Sequence, residues 1–314
     1  MDGLLVIDKP AGPTSHDVVA RLRRALGERR IGHTGTLDPA ASGVLPLVLG
    51  RATRLARFLS ARDKSYEAVI RLGIATDTYD AHGQTSRPPH AGAWPSRDEV
   101  ERALDAFRGT FLQQPPAFSA KKIDGTRSHR LARAASRHVS AGAGAHPAAA
   151  LPALASVTVH RLAILSAEAE CVTLGIECSA GFYVRSLAHD LGERLGVGAH
   201  LAALRRTRSG DFRLADALPL AAAEGDRDAA RAAVIPLERM LLNLSAVVLS
   251  DEGVRHAANG VDLGPSDLLD SDGAARDLEH PDLCIRMLNR RGQLVGIAEL
   301  AGARRLLHPS VVLV

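Results

Sequence analysis

The chain has 314 residues, 46% of them hydrophobic and 24% charged, a balance that excludes a disordered or collagen-like chain and leaves room for two domains. A formal charge of +4 admits an anionic partner without requiring one. No apolar run reaches the roughly 20 residues that a membrane helix needs, and the opening MDGLLVIDKPAG is unlike a signal peptide. Cys171, Cys178 and Cys284 form no CxxC pair, so free thiols and a cytoplasmic location are expected.

In chain order, Gly3 to Ile7 reads as a strand closed by Asp8-Lys9-Pro10. Thr14 to Asp17 matches a helix-start signature, and Val18, Leu22, Ala25 and Leu26 supply the apolar face of the helix that follows. GHTGTLDPAASG, from Gly32 to Gly43, fits neither the helix nor the strand period and is a loop. VLPLVLG then reads as a strand, ATRLARFL as a helix, and YEAVIRL, from Tyr66 to Leu72, as a strand buried on one face. SRDEVERALDAFRG is a helix with Ser96 and Glu99 as capping box and Gly109 as its stop. Residues 134–155 are low-complexity Ala/Gly/Pro and read as a surface insertion with little to bury. VTVHRLAIL and CVTLGIECS are strands, YVRSLAHDLGERLG a helix, and the Ala-rich stretch near 221–233 a helix or linker. From about Met240 short apolar runs alternate with Gly/Pro/Asp clusters, the spacing of a small β module. The expected fold is therefore α+β: a central mixed or antiparallel sheet flanked by helices, followed by a small C-terminal β-barrel.

The chemistry narrows by elimination. Thirteen histidines are scattered singly, without HxH or HExxH, and no cysteine pairs with them at ligand spacing, so no metal is expected. Phosphate-cradling GxxxxGK[ST], dinucleotide GxGxxG and hydrolase GxSxG motifs are missing, and no cofactor is expected. What remains is Asp38, held between glycines and stiffened by Pro39. A reactive carboxylate must stay ionised and wants a cation beside it. Several arginines could serve, and spacing does not choose among them. The chain holds only four lysines, Lys9, Lys64, Lys121 and Lys122, against many arginines. All four fall in the stretches LLVIDKP, DKSY and FSAKK, as they would where a planar guanidinium does not fit.

GHTGTLDPAASGVLPLVLGRATR strongly resembles the catalytic motif of the TruB-type tRNA pseudouridine synthases, which isomerise uridine 55 in the T loop. LLVIDKPAGPTSHDVV resembles their N-terminal motif, DKSYEAVIRLGIATDTYDAHG the next block and PPAFSAKKIDG the proline-serine-lysine motif. GFYVRSLAHDLGERLGVGAHLAALRR resembles the arginine motif, and the tail a PUA module. The resemblance implies a pseudouridine synthase domain over residues 1–238, with a thumb-like RNA-binding insertion at about 110–155, and a PUA-like domain over 239–314.

It further implies that Asp38 is the nucleophile, Arg185 the arginine paired with it, and Asp80 the acid anchoring that arginine. Tyr66 would stack on the target base and take part in removing its C5 proton, with Tyr183 and Leu204 as further walls of the uracil pocket. His33 would occupy the place of the flipped nucleotide, and Lys9, Lys64 and Lys121 would contact RNA or support the fold. The physics agrees: a base in a folded loop must be flipped out, at a cost of a few kcal/mol, onto an aromatic platform. The implied partner is the tRNA T stem-loop, with no membrane and no obligatory protein partner, and the implied state is a monomer. One departure stands out, since SHRLAR places His129 where the family usually has a Tyr. Two competing readings are a guide-RNA-dependent synthase of the dyskerin type and a tRNA chaperone without chemistry. The thumb-like insertion argues against the first, and the full set Asp38, Tyr66, Asp80 and Arg185 against the second.

Overall fold

The computed structural model describes residues 1–119, 121–123, 125–128, 131, 151–269, 284–301 and 306–314. His129 and residues 134–150 of the expected insertion lie outside the described residues. The fold is mixed α+β, with a ten-stranded mixed sheet and a separate four-stranded sheet near the C-terminus. The chain divides into two compact units: Met1–Asp38 with Leu45–Ser60 and Ala215–Val314, and Pro39–Val44 with Ala61–Leu214.

In chain order the first unit opens with β1 (Gly3–Lys9), α1 (Ser15–Leu26) and β2 (Ile31–His33). Strand β3 (Ser42–Leu49) runs from the second unit into the first, and a 3-10 turn (Gly50–Leu55) leads into α2 (Ala56–Ser60). The second unit continues with β4 (Lys64–Leu72), α3 (Arg97–Leu104), β5 (Gly109–Gln113), β6 (Lys122–Ile123) and β7 (Thr126–Arg127). It closes with β8 (Ala155–Glu168), β9 (Cys171–Cys178), α4 (Val184–Arg194), β10 (Ala199–Ser209) and β11 (Phe212–Arg213). Back in the first unit come β12 (Leu218–Pro219), the short helices α5 (Leu220–Gly225) and α6 (Arg227–Ala232), and β13 (Ala246–Val248). Helix α7 (Asp251–Ala258) and strands β14 (Cys284–Leu288), β15 (Leu294–Ala301) and β16 (Leu306–Val312) complete it.

In the first unit β12, β1 and β3 are neighbours in that order, and β2 lies antiparallel to β3. Helix α1 forms where the sequence predicts. Thr14 accepts from the Asp17 amide, Asp17 returns a bond to Thr14, and Gly27 ends the helix in the left-handed region. Val18, Leu22 and Leu26 recur on its buried face. In the second unit β10, β4, β9, β8 and β5 follow one another antiparallel. Leu104 of α3 and Leu187 and Leu191 of α4 join Ala68, Ile70 and Leu174 from the strands in one core. The C-terminal sheet has order β13-β14-β15-β16 and its own core, centred on Leu249, Ala257, Met287 and Val295.

Candidate active site

The loop singled out by the sequence is pinned before and after Asp38. The Thr34 amide donates to the Pro46 carbonyl at 3.1 Å, and Thr34 itself is fully buried. Ser15, the first residue of α1, meets Leu37 with a single hydroxyl. Its Oγ accepts from the Leu37 amide at 2.9 Å and donates to the Leu37 carbonyl at 3.1 Å. On the far side, Ser42 and Gly43 lie parallel against Arg205 and Arg206 of β10. Gly43 has φ +104°, and a Cβ there would stand 2.2 Å from the Arg206 carbonyl oxygen, so only glycine fits. The Arg206 side chain is buried and donates from Nε to the Val44 carbonyl at 2.7 Å. Asp38 itself is half-buried. His33 ends β2, half-buried, with its ring edge-on to that of His16 at 5.2 Å.

A second constellation gathers around α4. Arg185, at 7% exposure, donates from Nη1 to the Thr78 carbonyl at 3.2 Å and from Nη2 to the Phe118 carbonyl at 2.8 Å. Asp80 Oδ2 lies 3.7 Å from Arg185 Nη1, an ion pair too long for a hydrogen bond. The other oxygen, Oδ1, accepts from Thr78 Oγ1 at 2.7 Å and from the His82 amide at 3.0 Å. Tyr79, between Thr78 and Asp80, sits at φ 64°, a left-handed conformation rare for a bulky side chain. That conformation leaves the Thr78 carbonyl to Arg185 while the Tyr79 carbonyl accepts from the Leu201 amide at 2.9 Å. Its ring stacks on His189, one helical turn beyond Arg185, with centroids 3.9 Å apart. Burial pushes the Tyr79 phenol up and the His189 imidazole down from their usual ranges.

Tyr66 and Leu204 stand on neighbouring strands. Tyr66 is opposite Arg206 in the β4–β10 ladder and Leu204 opposite Ala68, and both are partly buried against the core of the second unit. Tyr183 caps α4, and its backbone is held by the buried Gln113 side chain. Gln113 Nε2 donates to the Tyr183 carbonyl at 3.0 Å, and its Oε1 accepts from the Tyr183 amide at 2.8 Å. The lysines divide. Lys9 is fully buried and donates to the Pro10 and Pro13 carbonyls at 2.9 and 2.8 Å. Lys64, also buried, donates to the Arg62 carbonyl. Loss of hydration, then the Arg206 charge, lower the Lys64 pKa to about 8. Lys121 is exposed. Thus the second unit brings Asp80 together with Arg185, while Asp38 and His33 belong to the first.

Residues 23–184 match the N-terminal domain of the TruB family of pseudouridylate synthases, and residues 185–242 match the C-terminal domain of tRNA pseudouridylate synthase B. The chain belongs to the TruB family. It is 40% identical to a tRNA pseudouridine synthase B of Solibacter usitatus over the whole of both chains. It is 48% identical to one of Gloeobacter violaceus over 79% of this chain and 82% of that protein. Among solved structures it resembles that of an H/ACA ribonucleoprotein bound to a substrate RNA containing 2'-deoxyuridine. The TM-score there is 0.70 at 25% identity, covering 99% of this chain and 85% of that one. An archaeal box H/ACA Nop10–Cbf5 complex gives the same TM-score at 26% identity, covering 99% of this chain and 86% of that one.

In this TruB-family chain the structure adds residues that the sequence reading passed over. Ser15 carries no signal beyond following a helix cap, since a serine there reads as an ordinary first-turn residue. Gln113 ends a short strand, and nothing local marks its grip on Tyr183, 70 positions away. Tyr79 and His189 lie inside two quoted motifs, yet their stacking becomes visible only when β4, its following turn and α4 are packed. Among the described residues no cluster of three or more His, Cys, Asp or Glu could hold a metal ion. Nor is any helix among them long and apolar enough to cross a membrane.

Proposed function

We propose that the chain isomerises uridine 55 in the T loop of tRNA to pseudouridine, acting alone and as a monomer in the cytoplasm. The C1'–N1 glycosidic bond breaks, the freed uracil turns, and a C1'–C5 bond forms. C5 then gives up its proton and N1 takes one, so the change is an isomerisation with no net gain or loss of atoms. In this reading Asp38 supplies the reactive carboxylate and Arg185 the cation that keeps it ionised. Asp80 orients Arg185, Tyr66 carries the flipped base and assists removal of the C5 proton, Tyr183 and Leu204 wall the pocket, and His33 fills the vacated place in the RNA.

The observation that carries the reading is Arg185. A guanidinium sunk to 7% exposure and fixed by two carbonyls and a nearby carboxylate is a costly arrangement, justified where a charge must be held still. The substrate class is supported by full-length similarity to relatives named tRNA pseudouridine synthase B. RNA contact falls to exposed groups such as Lys121, because the Lys9 and Lys64 ammonium groups face backbone carbonyls. Residues 239–314, with their separate small sheet, are proposed as a PUA-like RNA-binding module. The three cysteines are free, as a reducing compartment requires.

The solved neighbours at 25–26% identity come from H/ACA complexes, which keeps a guide-RNA-dependent reading in view. Identity of 40% to the synthase B relatives favours action alone. Purified protein incubated with a bare T-stem-loop transcript decides between them. Conversion at the position equivalent to uridine 55 is expected. A requirement for guide RNA and partner proteins, or product at another position, would overturn the proposal.

A further inference from the structure

We infer that Ser15 is a positioning residue for Asp38: its buried hydroxyl sets the backbone from which the carboxylate projects. This rests on the role proposed above for Asp38. Ser15 is 1% exposed and uses one oxygen to satisfy both polar groups of Leu37, the residue directly before Asp38. Donating to the carbonyl and accepting from the amide of one residue restrains the two peptide units that flank Leu37, the second of which leads into Asp38. Pro39 restricts Asp38 from the other side by disfavouring helical backbone. With both flanks constrained, the carboxylate has little freedom beyond its own side-chain torsions.

The start of α1 is braced by bonds of its own, separate from the grip on Leu37. The Lys9 ammonium bonds the Pro10 and Pro13 carbonyls and so holds the turn that launches α1. Thr14 and Asp17 then fix the helix start reciprocally, through Thr14 Oγ1 to the Asp17 amide at 3.0 Å and Asp17 Oδ2 to the Thr14 amide at 2.8 Å. Ser15 is the next residue. A general helix brace would not need its hydroxyl to leave the helix and meet a loop 22 positions away. A carboxylate that must meet the reacting sugar has that need, since a 1 Å misplacement can cost on the order of 10²-fold in rate.

The test compares three variants of the full chain, by single-turnover conversion of a saturating T-stem-loop transcript and by its dissociation constant. Ser15→Ala removes both bonds, Ser15→Thr keeps the hydroxyl, and Thr14→Ala weakens the same helix start without touching Leu37. S15A is expected to slow the bound step by roughly 10- to 100-fold with affinity within about threefold. S15T is expected to recover most of the rate and T14A to leave it unchanged. Should S15A not fold, S15C takes its place, since a thiol of similar size is a weak donor and acceptor. Wild-type rates in the variant lacking the hydroxyl, or equal slowing by T14A, overturn the inference. Failure of the wild-type chain to convert the transcript would instead count against the function proposed above.

Discussion

The loop that presents Asp38 and the turn that presents Asp80 both deliver a carboxylate, yet they are built from different forces. On the backbone leading into Asp38 the restraints are neutral, a serine hydroxyl on Leu37 and a main-chain bond from Thr34, and the guanidinium groups of Arg205 and Arg206 enter beyond it, at Ser42 and Val44. Around Asp80 they are charged or titratable: a guanidinium on the Thr78 carbonyl, an ion pair at 3.7 Å, and a tyrosine stacked on a histidine. Neutral hydrogen bonds do not change with pH, and inside a well-packed segment they are screened little by salt. The backbone at Leu37 is thus held by the indifferent kind of restraint, and the turn at Asp80 by the responsive kind.

Substitutions at four positions sharpen or break this contrast. The largest effect is expected from Asp38→Asn, which keeps shape and removes charge. Isomerisation should fall by on the order of 10⁴-fold or more while tRNA affinity stays within a few-fold, and full activity would remove Asp38 from the chemistry. Arg185→Lys comes next. A point-charge ammonium cannot reach two carbonyls and Asp80 at once, so the bound step should slow by roughly 10²-fold. An unchanged rate would mean that the fork geometry is irrelevant.

The turn can be dissected further by thermal melting. Tyr79→Ala loses the stack on His189 but keeps the left-handed strain, for a loss of about 2 kcal/mol. Tyr79→Gly loses the same stack but relieves the strain, and should recover roughly 1 kcal/mol of it. Equal losses in the two variants would show that the φ of 64° carries no cost.

The smallest effect concerns pH. Burial, then the Glu193 charge, raise the Asp190 pKa from 3.8 to about 6. The folded chain therefore holds this proton more tightly than the unfolded one, and stability is lost as pH rises from about 4 towards 6. His189 acts oppositely. Burial lowers its pKa, so its stabilising contribution is present above the ordinary value of 6.5 and lost as pH falls through that region. Asp190→Asn should flatten the first of these slopes in denaturation midpoints measured from pH 4 to 6, and an unaltered slope would assign it elsewhere.

How much of this was legible in the sequence depended on whether its cause is local. The capping boxes of Thr14 with Asp17 and Ser96 with Glu99 were readable because all partners lie within four residues. Strands β4, β9 and β14 were readable from alternation or short apolar runs. Part of the segment read as one helix, ATRLARFL, instead forms a 3-10 turn before the five-residue α2, a difference of hydrogen-bond spacing that apolar periodicity does not resolve. Strand β10, 11 residues long, has no readable pattern, because Arg206, one of its most buried members, is charged. Its burial is compensated by the Val44 carbonyl, a partner 162 positions distant. The same logic hides Gln113 from Tyr183 and Ser15 from Leu37. Asp80 and Arg185, quoted from separate motifs, are brought to 3.7 Å by the fold.

Gly43 carries a genetic consequence. The atoms that a Cβ would strike there are the main-chain oxygen, nitrogen and carbon of Arg206, not its side chain. Every residue type at position 206 presents the same obstruction, so no exchange there can make room. A search for second-site suppressors of Gly43→Ala should therefore return no rescue at 206. Any that arise should lie where they let β3 and β10 slide apart.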